Sequence, residues 1–224
     1  MRRPFRQRHW SVLAGVVAVA LALSVPAIAS GSSGSPGPAL PPPNTCIAPI
    51  LPCYIVLSIS SGSHGNKETV SGYRFWPGEP FTVYFWNGTA GSSAQVVGSG
   101  TTGTGSFTAS FATPNDPVGN YTVFVTDVAG DNQSARFHLT YLHASPTSGP
   151  VGNTTALSGQ GFLPDQALKF HIAGERAVKI APCETNSRGS FSGCVVRIPN
   201  VPTGSTLLTA TDGTYIARIG FVVT

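Results

Sequence analysis

Apolar residues recur at every second position in many short stretches of this chain, and beyond its first thirty residues no stretch keeps a helical interval for three turns without Gly or Pro. Phe81, Val83 and Phe85 alternate with Thr82, Tyr84 and Trp86. Successive side chains of a strand point to opposite faces, so a period of two predicts half-buried strands. On this reading strands cover 54–59, 69–73, 81–86, 94–97, 106–112, 121–126 and 135–141. A second set covers 142–144, 153–158, 167–172, 177–180, 190–198, 206–211 and 216–223. Each set holds seven short strands divided by turn residues, the pattern of a small two-sheet sandwich.

The two sets are copies. Ser71-Gly72-Tyr73-Arg74-Phe75-Trp76-Pro77 returns as Ser158-Gly159-Gln160-Gly161-Phe162-Leu163-Pro164, and Gly105-Ser106-Phe107 as Gly189-Ser190-Phe191. Thr126-Asp127 returns as Thr211-Asp212 and Phe137 as Phe221, with the offset always between 84 and 87. So long a period predicts two small domains, 45–141 and 142–224, rather than a solenoid of short units.

Composition places the pair outside the cytoplasm. The first residues carry four arginines, an apolar run from Val12 to Val25 and Ala27-Ile28-Ala29, which predicts a signal peptide over 1–29. Without cleavage the same run would be a signal anchor, the only route by which a membrane enters the reading. Residues 30–44, SGSSGSPGPALPPPN, predict a disordered linker stiffened by its prolines. Of 13 Lys and Arg, four lie in the leader, leaving nine against nine Asp and Glu. A neutral chain with scattered cations lacks the basic stripe that nucleic acid requires. Charged residues make up only 10% of the chain, where about a quarter is usual.

Four cysteines in an exported chain predict two disulfides. Cys46 and Cys53 flank a short proline-bearing loop, and Cys183 and Cys194 bracket the turn-rich ETNSRGSFSG, so the local pairings Cys46–Cys53 and Cys183–Cys194 are expected. No metal is expected, since no Cys-x-x-Cys or His-x-x-x-His spacing occurs. Asp127, Asp131 and Asn132 put three oxygen-bearing side chains in one hairpin, enough to hold calcium, although such a turn needs no ion.

His143-Ala144-Ser145-Pro146-Thr147-Ser148-Gly149-Pro150-Val151-Gly152, followed by Ser158-Gly159-Gln160-Gly161-Phe162, resembles the start of the IPT/TIG group of immunoglobulin-like domains. The Gly-Ser-Phe turn and Ser205-Thr206-Leu207-Leu208-Thr209-Ala210-Thr211-Asp212 resemble bacterial surface repeats of this kind. A more distant similarity is to secreted apoproteins related to neocarzinostatin, which carry two local disulfides. The resemblance implies an all-β chain of two tandem immunoglobulin-like β-sandwich domains after the signal peptide and linker. It also implies a secreted or cell-surface module with no catalytic residues and no cofactor. No phosphate loop, nucleophile elbow or His-Glu-x-x-His helix is present, and no enzyme is expected.

Seven aromatic rings fall within residues 71–88. Phe75, Phe81 and Phe85 match apolar Phe162, Leu168 and Ile172, and are expected inside. Tyr73, Trp76, Tyr84 and Trp86 match Gln160, Leu163, His171 and Ala173, so the first copy carries outward rings where the second is mostly polar or small. Flat apolar faces with a polar edge are typical of recognition surfaces. These four are the expected ligand-binding residues, for a cell-surface glycan or protein. The alternatives are rings packed beneath a loop or the other domain, and a purely structural spacer or envelope component without its own ligand.

Overall fold

The computed structural model describes residues 52–89, 92–128 and 130–224, all within the unit Pro36–Thr224. The expected signal peptide, linker and Cys46 lie outside the described residues. Among the described residues every regular element is a strand. In the first copy these are β1 (Tyr54–Leu57), β2 (Ser61–Ser63), β3 (Lys67–Tyr73), β4 (Pro80–Trp86), β5 (Gln95–Thr101), β6 (Ser106–Ala112), β7 (Gly119–Asp127) and β8 (Asn132–Ser145). There follow β9 (Ser148–Gly149), β10 (Thr154–Gln160), β11 (Lys169–Ile172), β12 (Glu175–Arg176), β13 (Val178–Lys179), β14 (Phe191–Arg197), β15 (Gly204–Thr211) and β16 (Ile216–Val223).

The same topology is built twice. In the first copy β1-β3-β6 form one sheet, and β5-β4-β7-β8 with β2 parallel to β8 form the other. In the second, the end of β8 with β10 and β14 forms one sheet, while β12-β11-β15-β16 with β9 parallel to β16 forms the other. Each sandwich closes on its own core: Phe81, Phe85, Phe111 and Phe137 in the first, Leu157, Phe170, Phe191 and Phe221 in the second. This is an immunoglobulin-like arrangement. A further mark of it is Tyr121, whose hydroxyl donates to the Pro117 carbonyl at 2.7 Å, the corner seen where a strand enters such a sandwich. Burial and nearby Asp116 raise that phenol's pKa.

The repeated motifs have a packing reason. Phe75 N–H donates to the Gly105 carbonyl at 3.0 Å, and Phe162 N–H to Gly189 at 3.1 Å. The Gly-Ser-Phe turn thereby delivers Phe107 edge-on to Phe75, centroids 5.2 Å apart, and Phe191 to Phe162 at 5.6 Å. Both incoming rings lie over a strand glycine, Gly72 or Gly159. A threonine locks the neighbouring loop in each copy. Thr102 donates to the Trp76 carbonyl and accepts from Glu79 N–H, as Thr185 does with Leu163 and Gln166.

One strand belongs to both copies. The alternation read from sequence ends a strand at Tyr141 and starts another at Leu142, whereas β8 runs unbroken across that point. Its inward residues change phase there: Phe137 and Leu139 enter the first core, Leu142 and Ala144 the second. With odd positions buried before the change and even ones after it, the cores lie on opposite faces of the same strand. Hydroxyls seal the junction. Ser61 and Ser63 Oγ accept from Ile216 and Arg218 N–H, both at 2.9 Å, and Thr140 donates to the Ile216 carbonyl. Buried Glu68 faces Arg218 at 3.9 Å. Desolvation raises its carboxyl pKa, against the Ser58 hydrogen bond and the arginine.

Candidate functional site

The candidate face is built on β4. Phe81, Val83 and Phe85 turn inward and are buried, so the pleat presents Thr82, Tyr84 and Trp86 outward, each half-buried. Tyr84 lies across from Val96 of β5 on one side and Phe124 of β7 on the other. It stacks on Phe124 with centroids 4.7 Å apart and planes within 9°. In the next row Trp86 lies across from Thr122, and Thr122 from Arg136 of β8. The indole Nε1–H donates to Ser92 Oγ at 2.9 Å, and Ser92 is itself 2.6 Å from Asn87 Oδ1. The indole's polar edge is thus satisfied and its orientation fixed.

The second copy repeats the backbone and not the chemistry. The row Val96–Tyr84–Phe124–Ser134 corresponds in register to Arg176–His171–Thr209–Arg218. Trp86 corresponds to Ala173 at the end of β11.

The four expected ligand-binding rings are not brought together. Tyr84 and Trp86 share one face. Tyr73 lies at the end of β3, on the outer side of the opposite sheet, stacked on Tyr54 at 5.0 Å with Arg74 5.4 Å from the Tyr54 ring centre. Arg74 takes φ 68°, where the second copy has Gly161 at φ 83°. Trp76 stands in the loop between the sheets, 43% exposed, and its backbone carbonyl accepts from Thr102. The reason is the crossover at Trp76-Pro77-Gly78. It carries the chain from one sheet to the other, so outward positions before and after it face opposite ways.

Sequence reading missed Phe124, Tyr54 and Arg136. Phe124 was detectable, because Tyr121, Val123 and Val125 alternate inward and leave it on the outer side of the sheet, where it is buried against Tyr84. Its register partner on β4 was not, since cross-strand pairing depends on strand order.

The cysteines stand as follows. Cys53 is disulfide-bonded, and its expected partner Cys46 is outside the described residues. Cys183 and Cys194 are buried thiols. Burial, and then a hydrogen bond with Cys183, pushes the Cys194 thiol up to about 12. Asp127 and Asp131 are both buried, with Asp131 N–H donating to Asp127 Oδ1 at 2.8 Å. Among the described residues no three His, Cys, Asp or Glu side chains gather as metal ligands would.

Two immunoglobulin-like sandwiches sharing a strand define the fold class, and an outward aromatic row on the first defines the candidate site. No protein-family model and no curated protein sequence matches the chain. Among solved structures it is similar to SGBP-B from a complex xyloglucan utilization locus in Bacteroides uniformis, at 16% identity, TM-score 0.28, over 76% of this chain and 49% of that one. It is also similar to a tetra-tandem repeat in the extending region of a large adhesion protein, at 17% identity, TM-score 0.29, over 77% and 49%. A third is the Yersinia pseudotuberculosis adhesin InvE, at 14% identity, TM-score 0.28, over 77% and 58%. The chain thus spans about half the length of each.

Proposed function

We propose that this chain is an exported, non-catalytic module of the IPT/TIG type that binds a cell-surface glycan through Tyr84 and Trp86. The observation that supports this is the pinned indole. Trp86 remains partly exposed while Ser92 fixes its edge, and a ring held in advance loses little rotamer freedom on binding. Flat rings set into a sheet offer rigid apolar planes to the C–H faces of a sugar, and the neighbouring Thr82 and Thr122 hydroxyls suit its hydroxyl groups. Tyr73 and Trp76, on other surfaces, would serve as separate contacts for a long or branched ligand.

A glycan array and whole-cell binding assay on the full chain tests the reading. Wild type is expected to retain a defined set of glycans, and Trp86→Ala to lose them. A wild-type chain that retains none leaves the spacer reading, which the shared strand β8 favours by stiffening the pair.

The two thiols of the second copy belong to the same picture of export. Oxidation is expected to join Cys183 and Cys194, closing about a dozen residues and adding on the order of 3 kcal/mol by the loop-entropy estimate. Peptide mapping of unreduced secreted protein should recover the two cysteines in one crosslinked fragment. Recovery of both as alkylated thiols would remove the bridge from the account.

A further inference from the structure

We propose that the aromatic face continues into the cleft between the two copies and takes an acidic, uronate-type sugar there, its carboxylate seated on Arg136. The inference rests on the glycan-binding reading above and adds the chemical class of the ligand.

Arg136 lies in the same row as Trp86, with Thr122 between them, two strand spacings or roughly 10 Å away. It is exposed and makes no ion pair among the described residues. On the outward positions of β4, β7 and the first half of β8 stand Thr82, Tyr84, Trp86, Asn120, Thr122, Phe124, Thr126, Asn132, Ser134, Arg136 and His138. Arg136 is the one Lys, Arg, Asp or Glu among them, in a chain where only 10% of residues are charged.

Beyond Arg136 the sheet surface drops into a cleft of about 470 Å³, whose walls include Asn87, Asn120, His138 and Tyr215. Those walls are set before any ligand arrives. His138 stacks on Tyr215 of the second copy, centroids 3.9 Å apart and planes within 12°. Its Nε2 lies 2.7 Å from the Gly161 carbonyl oxygen, and its Nδ1 lies 2.8 Å from Asn120 Oδ1. Burial holds the imidazole pKa below its usual value, against the Gly161 hydrogen bond and Asp212. His138 is therefore a fixed wall of the cleft, with both nitrogens engaged. The Asp212 carboxylate, the acid facing it, is occupied by the backbone N–H groups of Leu163, Thr214 and Tyr215. Asp116 lines an adjoining hollow with Phe85 and Gln95, which shares Asn87 with the cleft.

One guanidinium, presented beside aromatic planes, amides and hydroxyls, matches one carboxylate on a polyhydroxylated ring. Its fork accepts a carboxylate in two parallel hydrogen bonds. A polysulfated chain or a phosphate cluster would call for several cations on this face, and there is one.

The test measures affinity of the full chain for oligomers of galacturonate, glucuronate and mannuronate, each beside its methyl ester, which keeps the sugar and removes the charge. At least one acidic oligomer should bind roughly 10- to 100-fold more tightly than its ester, the worth of a charge-assisted pair of hydrogen bonds. Arg136→Gln should erase that difference with an unchanged thermal melt, and Arg136→Lys should restore only part of it. Trp86→Ala should weaken acid and ester alike. Equal, Trp86-dependent binding of acids and esters, or binding of neutral glycans alone, overturns the inference and leaves the glycan reading standing. Arg136-dependent capture of an acidic peptide with no sugar bound overturns both, as does an absence of glycan binding altogether.

Discussion

Phe85→Ala is expected to lower the stability of the chain by roughly 3–5 kcal/mol, the cost of a large cavity in a close-packed core. Its ring is 2% exposed. It stacks on Tyr121 at 4.6 Å and meets Phe137 and Phe111 at 5.7 and 6.5 Å, so truncation leaves several rings without a partner at once. Trp86, the next residue, points the other way and should cost about 1 kcal/mol when cut to alanine, in the range of a partly exposed side chain. Parallel thermal melts would show Phe85→Ala falling by about 10 °C or more and Trp86→Ala close to wild type. A Trp86→Ala melt as low as that of Phe85→Ala would place the indole among the residues that hold the fold and remove the main support for a binding face.

Gly72→Ala and Gly159→Ala should each cost about 3 kcal/mol, at the upper end of the overpacking range. A Cβ added at Gly72 would stand 2.0 Å from Phe107 Cε1, and one at Gly159 2.5 Å from Phe191 Cε1. Neither ring has room to retreat. Phe107 is stacked on Phe81 at 3.9 Å and set edge-on to Phe75, and Phe191 is wedged between Phe162 and Phe170. At Gly159 the new methyl would also meet the Tyr141 carbonyl at 2.8 Å, part of a backbone that cannot rotate aside. Trimming the obstructing ring is the control: Phe107→Leu should destabilise less in the Gly72→Ala background than alone, a coupling that a double-mutant cycle in denaturant measures. Additive effects, or a Gly72→Ala chain that unfolds at the wild-type midpoint, would mean that the Ser-Gly and Gly-Ser-Phe motifs repeat for some other reason.

Those motifs show what sequence can carry. Alternation at Phe81, Val83 and Phe85 identified the inward face of β4, and the offset between copies marked Tyr84 and Trp86 as outward and chemically distinct. Both signals are local or repeated, so they survive without knowledge of strand order. β2 and β9 escaped notice because Ser61-Gly62-Ser63 and Ser148-Gly149 carry no apolar alternation; they exist through parallel hydrogen bonding to β8 and β16. The continuity of β8 was hidden by its change of phase between Leu139 and Leu142, which reads as a break when one strand is assumed to serve one core. The dispersal of Tyr73, Trp76, Tyr84 and Trp86 was hidden for a related reason. Sequence distance says nothing about which sheet a strand joins.

Strand β8 also determines how the pair would carry tension. With one backbone ending the first sandwich and opening the second, load passes between them with no slack segment to stretch. β2 runs parallel to β8 and β9 parallel to β16, so a pull along the chain slides each pair lengthwise. The hydrogen bonds of each patch are then strained together, where a hairpin pulled apart at its open end gives them up one at a time. The pair would act as a stiff, shear-loaded strut, holding whatever the first copy grips at a fixed angle to the second.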